Sequence, residues 1–184
     1  MRFIFLISFS FILTINLFGQ EKYFTRNGHI YFISRTAAID IDANNHQVGS
    51  IINIKTGEMV FSVLMKSFEF ELALAEDHFN EDYVESDRFP KSKFKGKILN
   101  FNEMDLTKNG NYNVEVEGEL SLHGKVKTII KSGTLLVENG KITGKSEFTI
   151  FLDDFDIKVP NMVKDKVAKE IEIKLNLTYE PYNK

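Results

Sequence analysis

Residues 61–94 read FSVLMKSFEFELALAEDHFNEDYVESDRFPKSKF, and the hydrophobic period changes twice along them. Residues 61–65 alternate in the manner of a largely buried strand. Apolar residues then recur at intervals of three and four, which is the spacing of one helix face: Phe68, Leu72, Ala75, Phe79 and Tyr83. Pro90 stops this helix and releases a new strand at Phe94. The stretch therefore predicts a strand, a short helix with acidic residues on its outer side, and a second strand.

Alternating runs on either side of this segment predict further strands of an antiparallel sheet. The clearest are residues 112–122 and 171–179, where apolar side chains at every second position face away from charged and polar ones. The final run is expected to pair back and close the sheet. Roughly eight to ten strands with one internal helix predict an all-β antiparallel sandwich or barrel, and closure would remove exposed edges.

Turns between these strands are assigned from Gly and Asn pairs. Asn139-Gly140 closes one hairpin, and Asn44-Asn45 is interpreted as another, between residues 37–41 and 48–54. Gly124 interrupts the strand that ends at Leu122. The next run is expected to continue the same inward alternation, with Val126, Thr128 and Ile130 on one face and Lys125, Lys127 and Lys131 on the other.

Residues 1–20, MRFIFLISFSFILTINLFGQ, have the anatomy of a secretory signal peptide. Arg2 precedes an apolar run that Thr14 and Asn16 interrupt, which disfavours a retained membrane anchor. We expect the leader to be cleaved and residues 21–184 to form one mature domain. This predicts a periplasmic or secreted location.

The composition is that of an ordinary globular domain. Of 184 residues, 43% are hydrophobic and 27% are charged, and there is no cysteine, so the fold has neither a disulfide nor a lipid-modified cysteine. Loss of the leader removes Arg2 and leaves 22 basic against 26 acidic residues, a net charge of −4. A basic footprint for nucleic acid is absent.

Side chains that could bind a metal ion or catalyse a reaction are spread along the sequence and form no known motif. The histidines lie in separate predicted elements without the spacing of a metal motif: His29, His46, His78 and His123. The calcium-like start at residues 40–44 lacks the required glycine, because Asn45 stands there. His123-Gly124 is interpreted as a turn whose histidine holds nearby backbone. We therefore predict no metal, no cofactor and no enzymatic activity, with a hydrolase that uses an unrecognised, spatially assembled site as the least favoured alternative.

Residues 68–98 also carry a specific family pattern. Its positions are Phe68, Phe70, Ala73, Leu74, His78, Phe79, Asn80, Glu81, Tyr83, Glu85, Ser86, Phe89, Pro90, Phe94, Gly96 and Ile98. Downstream, residues 118–124 (GELSLHG) join it. The chain in this respect is similar to the bacterial YceI-like lipid-binding proteins. The resemblance implies an extended lipocalin-like barrel that holds a polyisoprenoid or another long apolar chain.

Apolar side chains from several predicted elements are expected to line the interior: Phe61, Val63, Met65, Phe68, Phe79, Tyr83, Phe94, Phe148 and Ile150. Such residues could fill a small barrel or surround a ligand, and strand period alone does not distinguish these cases. The resemblance favours a cavity. The expected function is therefore non-catalytic sequestration of a polyisoprenoid, a quinone tail or a similar lipid, with transient membrane contact. The alternative is an envelope or adhesion module with a filled core.

Overall fold

The computed structural model describes residues 21–161, 163 and 165–182, and the predicted leader lies outside them. About 59% of the chain is strand, and there is a single short α-helix among the described residues. The strands are β1 (Lys22–Arg35), β2 (Asp40–Asn53), β3 (Glu58–Leu64), β4 (Glu69–Phe70), β5 (Lys91–Ile98), β6 (Gly110–Leu122), β7 (Lys125–Glu138), β8 (Lys141–Phe151) and β9 (Glu170–Pro181). The helix is α1 (Ala73–His78). None of the helices in the described part of the chain is long and apolar enough to cross a membrane.

Eight of the strands form a closed antiparallel barrel, which confirms the predicted fold class. The order around the barrel is β1-β9-β8-β7-β6-β5-β3-β2, and a β1–β2 pairing completes the ring. β4 lies outside the ring and pairs with β2 through two residue pairs, Ala43 with Phe70 and Asn44 with Glu69. As predicted, β9 closes the sheet by pairing with both β1 and β8.

The connections divide the barrel into two ends. At the end where β1 begins, here called the closed end, residues 54–57, 99–109 and 139–140 join neighbouring strands. At the opposite end, here called the open end, the connections include residues 65–90 and 152–169. These two segments are long enough to carry helical turns, so the open end has the chain length to build a mouth.

The predicted helix was placed too early. Phe68 has extended backbone, and residues 69–70 form β4, which pairs with β2, before α1 begins at Ala73. The Phe68 ring is buried in the core, and this burial together with the pairing of β4 with β2 outweighs the helical period that starts at Phe68. A π-helical turn over Phe79–Tyr83 then completes the segment.

The predicted turn at Asn44-Asn45 is wrong, because β2 runs through it. Asn45 is fully buried, and its Nδ2 donates a hydrogen bond to the Leu64 carbonyl oxygen at 2.9 Å. The pairing with β1 shifts register next to this residue, between Gly28 and Ile30, so the amide serves a β-bulge. The actual turn spans residues 36–39, where Thr36 Oγ1 bonds to the Ile39 backbone.

Candidate ligand cavity

A cavity of about 520 Å³ lies inside the barrel and extends to the open end. All nine side chains predicted to face the interior line it: Phe61, Val63, Met65, Phe68, Phe79, Tyr83, Phe94, Phe148 and Ile150. Val63, Met65, Phe68 and Ile150 are buried, and the others are half-buried. The structure thus brings the predicted set together around one space, while their contact with a ligand stays a prediction.

Four phenylalanine rings, here called the aromatic cluster, pack together at the open end: Phe32, Phe68, Phe70 and Phe79. Phe79 is central, because its ring centroid lies 5.6 Å from that of Phe32, 5.4 Å from Phe68 and 5.1 Å from Phe70. These pairs, which are stacked, edge-on and tilted in that order, hold the segment after α1 against β1 and β4. Phe32 was missed as a site residue because its strand is partly apolar on both faces.

The barrel is filled below the cavity, toward the closed end. Tyr179 is fully buried at this boundary, and its hydroxyl lies 2.8 Å from Ser50 Oγ, which itself donates to the Val60 carbonyl oxygen at 2.9 Å. Burial raises the pKa of Tyr179 well above its usual value, so the phenol stays neutral. Beyond it, fully or nearly fully buried aliphatic residues outside the cavity lining close the bore: Ile52, Ile98, Val137 and Ile142.

Glycines beside Phe94 shape the wall of the cavity. A Cβ atom on Gly118 would lie 2.5 Å from Phe94 Cζ, and one on Gly96 would lie 2.6 Å from the same atom. The Phe94 ring therefore lies flat over β5 and β6, where it also contacts Phe61 at a centroid distance of 5.7 Å. Close approach of a ring to glycine backbone keeps this large side chain from filling the bore.

The polar side chains of the lining are mostly engaged by the wall. Ser92 Oγ donates to the Ser121 carbonyl oxygen at 3.0 Å, and Ser34 Oγ accepts from the Ala168 backbone amide at 2.8 Å. Burial, followed by the nearby Asp82 charge, raises the pKa of the Tyr83 phenol. No aspartate or glutamate occurs among the described lining residues. The space therefore suits an apolar ligand and is free of negative charge.

The wall has a gap between β7 and β8 on the side of the open end. Their ladder runs from Glu138 and Lys141 to Thr134 and Lys145 and stops there. Residues 125–133 still pair with β6, and residues 146–151 still pair with β9. We call this unpaired region the wall gap. In the described structure the polar contacts across it come from side chains and include Ser146 Oγ to Ser132 O at 2.6 Å, Lys131 Nζ to Thr149 O at 2.8 Å, and Lys127 Nζ to Asp154 Oδ1 at 2.7 Å.

The predicted facing of β7 is wrong. Val126 and Ile130 are more than half exposed, whereas Ile129 and Lys131 line the cavity. The cause is the two-residue turn, which pairs Leu122 with Lys125, so that odd-numbered residues of β7 share the inner face with even-numbered residues of β6. If the strand alternation is counted backwards from Leu135, Lys131 falls on the inner face, so the sequence did contain a signal for its facing.

The histidines make separate contacts. His78 Nδ1 lies 2.7 Å from Asp82 Oδ2, and the His29 and His46 rings stack at 4.4 Å. His123 Nδ1 lies 3.0 Å from the Phe155 carbonyl oxygen, which confirms that this histidine holds nearby backbone. Among the residues that the structure describes, no three potential ligands are grouped to hold a metal ion.

A closed eight-stranded barrel with an internal apolar cavity defines the class of this protein. A YceI-like domain model matches residues 18–179. The chain therefore belongs to the YceI-like domain family.

Solved structures give the same fold. A polyisoprenoid binding domain from Saccharophagus degradans, implicated in plant cell wall breakdown, is 12% identical with a TM-score of 0.76, over 89% of this chain and 100% of that one. BcnA from Burkholderia cenocepacia is 16% identical with a TM-score of 0.70, over 82% and 95%. The Campylobacter jejuni YCEI protein is 14% identical with a TM-score of 0.53, over 77% and 85%. No curated protein matches the sequence.

Proposed function

We propose that this protein binds a long apolar ligand, such as a polyisoprenoid, a quinone tail or a similar lipid, and holds it without chemical change. The observation that carries the proposal is the cavity of about 520 Å³ with an aliphatic and aromatic lining. This volume lies in the usual range of small-molecule pockets, roughly 300–1,000 Å³. The structural likeness to a polyisoprenoid binding domain supports the same class of ligand. Because the open half of the barrel is hollow, the filled-core interaction module has less support.

Chain length should determine affinity. Burial of each methylene contributes about 0.8 kcal/mol, which gives ~16 kcal/mol for about twenty carbons and half as much for ten. Association costs about 4–15 kcal/mol. Short chains therefore gain little, and tight binding requires a long one.

The protein would exert this function outside the cytoplasm. Residues 1–20 have the features of a cleaved export signal, so the mature chain is proposed to be periplasmic or secreted. Amino-terminal sequencing of protein recovered from the producing cells tests this, because a mature chain should begin near Gln20 or Glu21. Retention of Met1 on membrane-embedded material would contradict it.

Transient contact with a membrane would allow ligand exchange at the open end. Leu72 and Leu74 line the cavity yet are 58% and 68% exposed, so they present apolar surface beside its mouth. A lipid that leaves a bilayer there would remain in apolar contact. Replacement of both leucines by serine should slow lipid transfer from vesicles and leave the equilibrium affinity for the same lipid nearly unchanged.

The direct test of binding is organic extraction of the purified protein followed by mass spectrometry. A stoichiometric long-chain lipid is expected in the extract. The delipidated protein should then take up a fluorescent polyprenyl probe in competition with the extracted lipid. An empty extract together with no probe uptake would overturn the proposed function.

A further inference from the structure

Four lysines occur among the described lining residues of the cavity, and three of them, Lys93, Lys145 and Lys166, are exposed. The fourth, Lys131, is the cation set within the barrel wall. Lys131 lies on the inner face of β7 with Ile129, Gly133 and Leu135, and its side chain is half-buried. The ammonium donates to the Thr149 carbonyl oxygen at 2.8 Å and lies 5.4 Å from the centroid of the Phe148 ring. These two contacts hold the charge at the wall gap, beside the apolar lining.

Within the described structure, no carboxylate lies at ion-pair distance from the Lys131 ammonium. Nearby Lys127 pairs with Asp154, and Lys125 pairs with Asp156, but Lys131 makes no ion pair among the described residues. The described lining of the cavity contains no acid, although the protein has 26 acidic residues and a net charge of −3. A half-buried charge without a counter-ion is unfavourable, so the site favours a ligand that carries one.

The wall gap gives such a charge access to water. Beyond Thr134 and Lys145 the backbones of β7 and β8 are not hydrogen-bonded to each other, and Ser132 and Ser146 lie on the two sides of the opening. A polar group there could bind the ammonium and remain hydrated, while an attached chain lay along Phe148 and Ile150 in the cavity. The position thus offers a hydrated cation for a polar head group and an apolar cavity for the attached chain, and an amphiphile requires both.

We propose that Lys131 binds the anionic oxygen head group, a carboxylate or a phosphate, of a single-chain amphiphile whose chain occupies the cavity. The inference rests on the proposed function and specifies its ligand. An ammonium has three donors, and one of them is used by Thr149, which leaves two for the head group. Charge-assisted hydrogen bonds of this kind are roughly twice as strong as neutral ones.

Matched ligands test the proposal on the delipidated full-length mature protein. Hexadecanoate is compared with hexadecanol, and farnesyl phosphate with farnesol, by competition against a neutral fluorescent apolar probe. Each anion should bind about tenfold more tightly than its alcohol at low salt, and the preference should shrink as ionic strength rises. A preference in only one pair would identify the head group as carboxylate or phosphate.

Lys131→Met should abolish the preference and retain binding of the alcohols, because methionine keeps the apolar stem without the charge. Lys131→Arg should retain most of the preference. The control is Lys95→Met, which removes an exposed lysine on the outer face of β5 and should change nothing. Equal binding of anion and alcohol by the wild type, or an unchanged preference in Lys131→Met, would overturn the inference while the proposed function stood.

Failure of every chain to bind would instead overturn the proposed function. The wild-type comparison of anion with alcohol requires no variant, so equal binding of the two would overturn the inference even if Lys131→Met did not fold.

Discussion

The two halves of the barrel use the same strands for different purposes. Toward the closed end, Ile52, Ile98 and Ile142 belong to one buried core and are almost entirely inaccessible to solvent. Toward the open end, Val63 and Ile150 face a cavity of about 520 Å³. Because both halves show the same inward alternation, burial of a residue in this fold does not reveal whether it stabilises the protein or contacts a ligand.

The difference comes from what each end adds to the strands. The closed end has shorter connections, and its aliphatic side chains are buried in one core. At the open end the long connections place the aromatic cluster beside the space, the glycines under Phe94 keep one ring against the wall, and the β7–β8 ladder ends early. Stability and binding should therefore be separable by mutation.

The largest effect is expected at the closed end. Ile142→Ala removes a fully buried side chain that is packed on all sides and should lower the free energy of unfolding by about 2–5 kcal/mol. The matched variant Ile150→Ala lies on the same strand but faces the cavity, so it loses fewer packing partners and should cost less. Denaturant unfolding of both variants measures the difference. Equal losses would mean that the cavity is filled in solution.

Phe79→Ala should have an intermediate effect. The ring is half-buried and contacts three other phenylalanines, so its loss should cost about 2 kcal/mol, less than a fully buried aromatic. Lipid uptake should also weaken, because the segment at the mouth loses its anchor. Phe79→Leu is the control, since it retains part of the apolar contact. Unchanged melting of Phe79→Ala would show that the aromatic cluster does not hold this segment.

The same contrast explains how much the sequence could predict. Strand alternation in β6 and β9 depends on local period, and both faces were predicted correctly. The start of α1 and the path of β2 through Asn45 depend on contacts between distant residues, β4 with β2 and Asn45 with Leu64, which no local pattern records.

The nine predicted lining residues were found because apolar inward positions are visible in a sequence. Lys131 was missed because its facing depends on the exact length of one turn. The size of the cavity was likewise beyond prediction, because it depends on the bore of the closed barrel and on early separation of β7 from β8.

Val63→Phe should affect stability little and binding strongly. A larger side chain in a packed core typically costs about 1–3 kcal/mol, but at Val63 the new ring can enter the cavity, so we expect less than about 1 kcal/mol. The same ring would occupy the space of the ligand and reduce uptake of a long-chain probe at least tenfold. Thermal melting and probe uptake of the delipidated variant check both halves of the expectation. A stable variant with normal uptake would show that the ligand does not pass this position.

The smallest effect concerns a polar contact of the open end that should respond to acid. The pKa of Glu85 lies below its usual value, mainly because His123 donates a hydrogen bond to this carboxylate at 3.0 Å. Arg88 lowers the pKa of Glu85 further. A carboxylate whose pKa is depressed by folding stabilises the folded state fully above its unfolded pKa, and this contribution is lost as the pH falls through the folded pKa.

Glu85→Gln should therefore lower the melting temperature slightly at neutral pH. The difference in melting temperature between the variant and the wild type should shrink as the pH falls below the ordinary pKa of glutamate. Glu85 is 40% exposed, so solvent screening keeps the effect small. Melting curves between pH 7 and pH 3 measure this difference. The control is Glu103→Gln, because Glu103 is an exposed carboxylate without an ion pair among the described residues. A difference that stays constant with pH would mean that Glu85 acts through shape or neutral hydrogen bonding, and that its charge does not hold residues 65–90 to the β6–β7 turn.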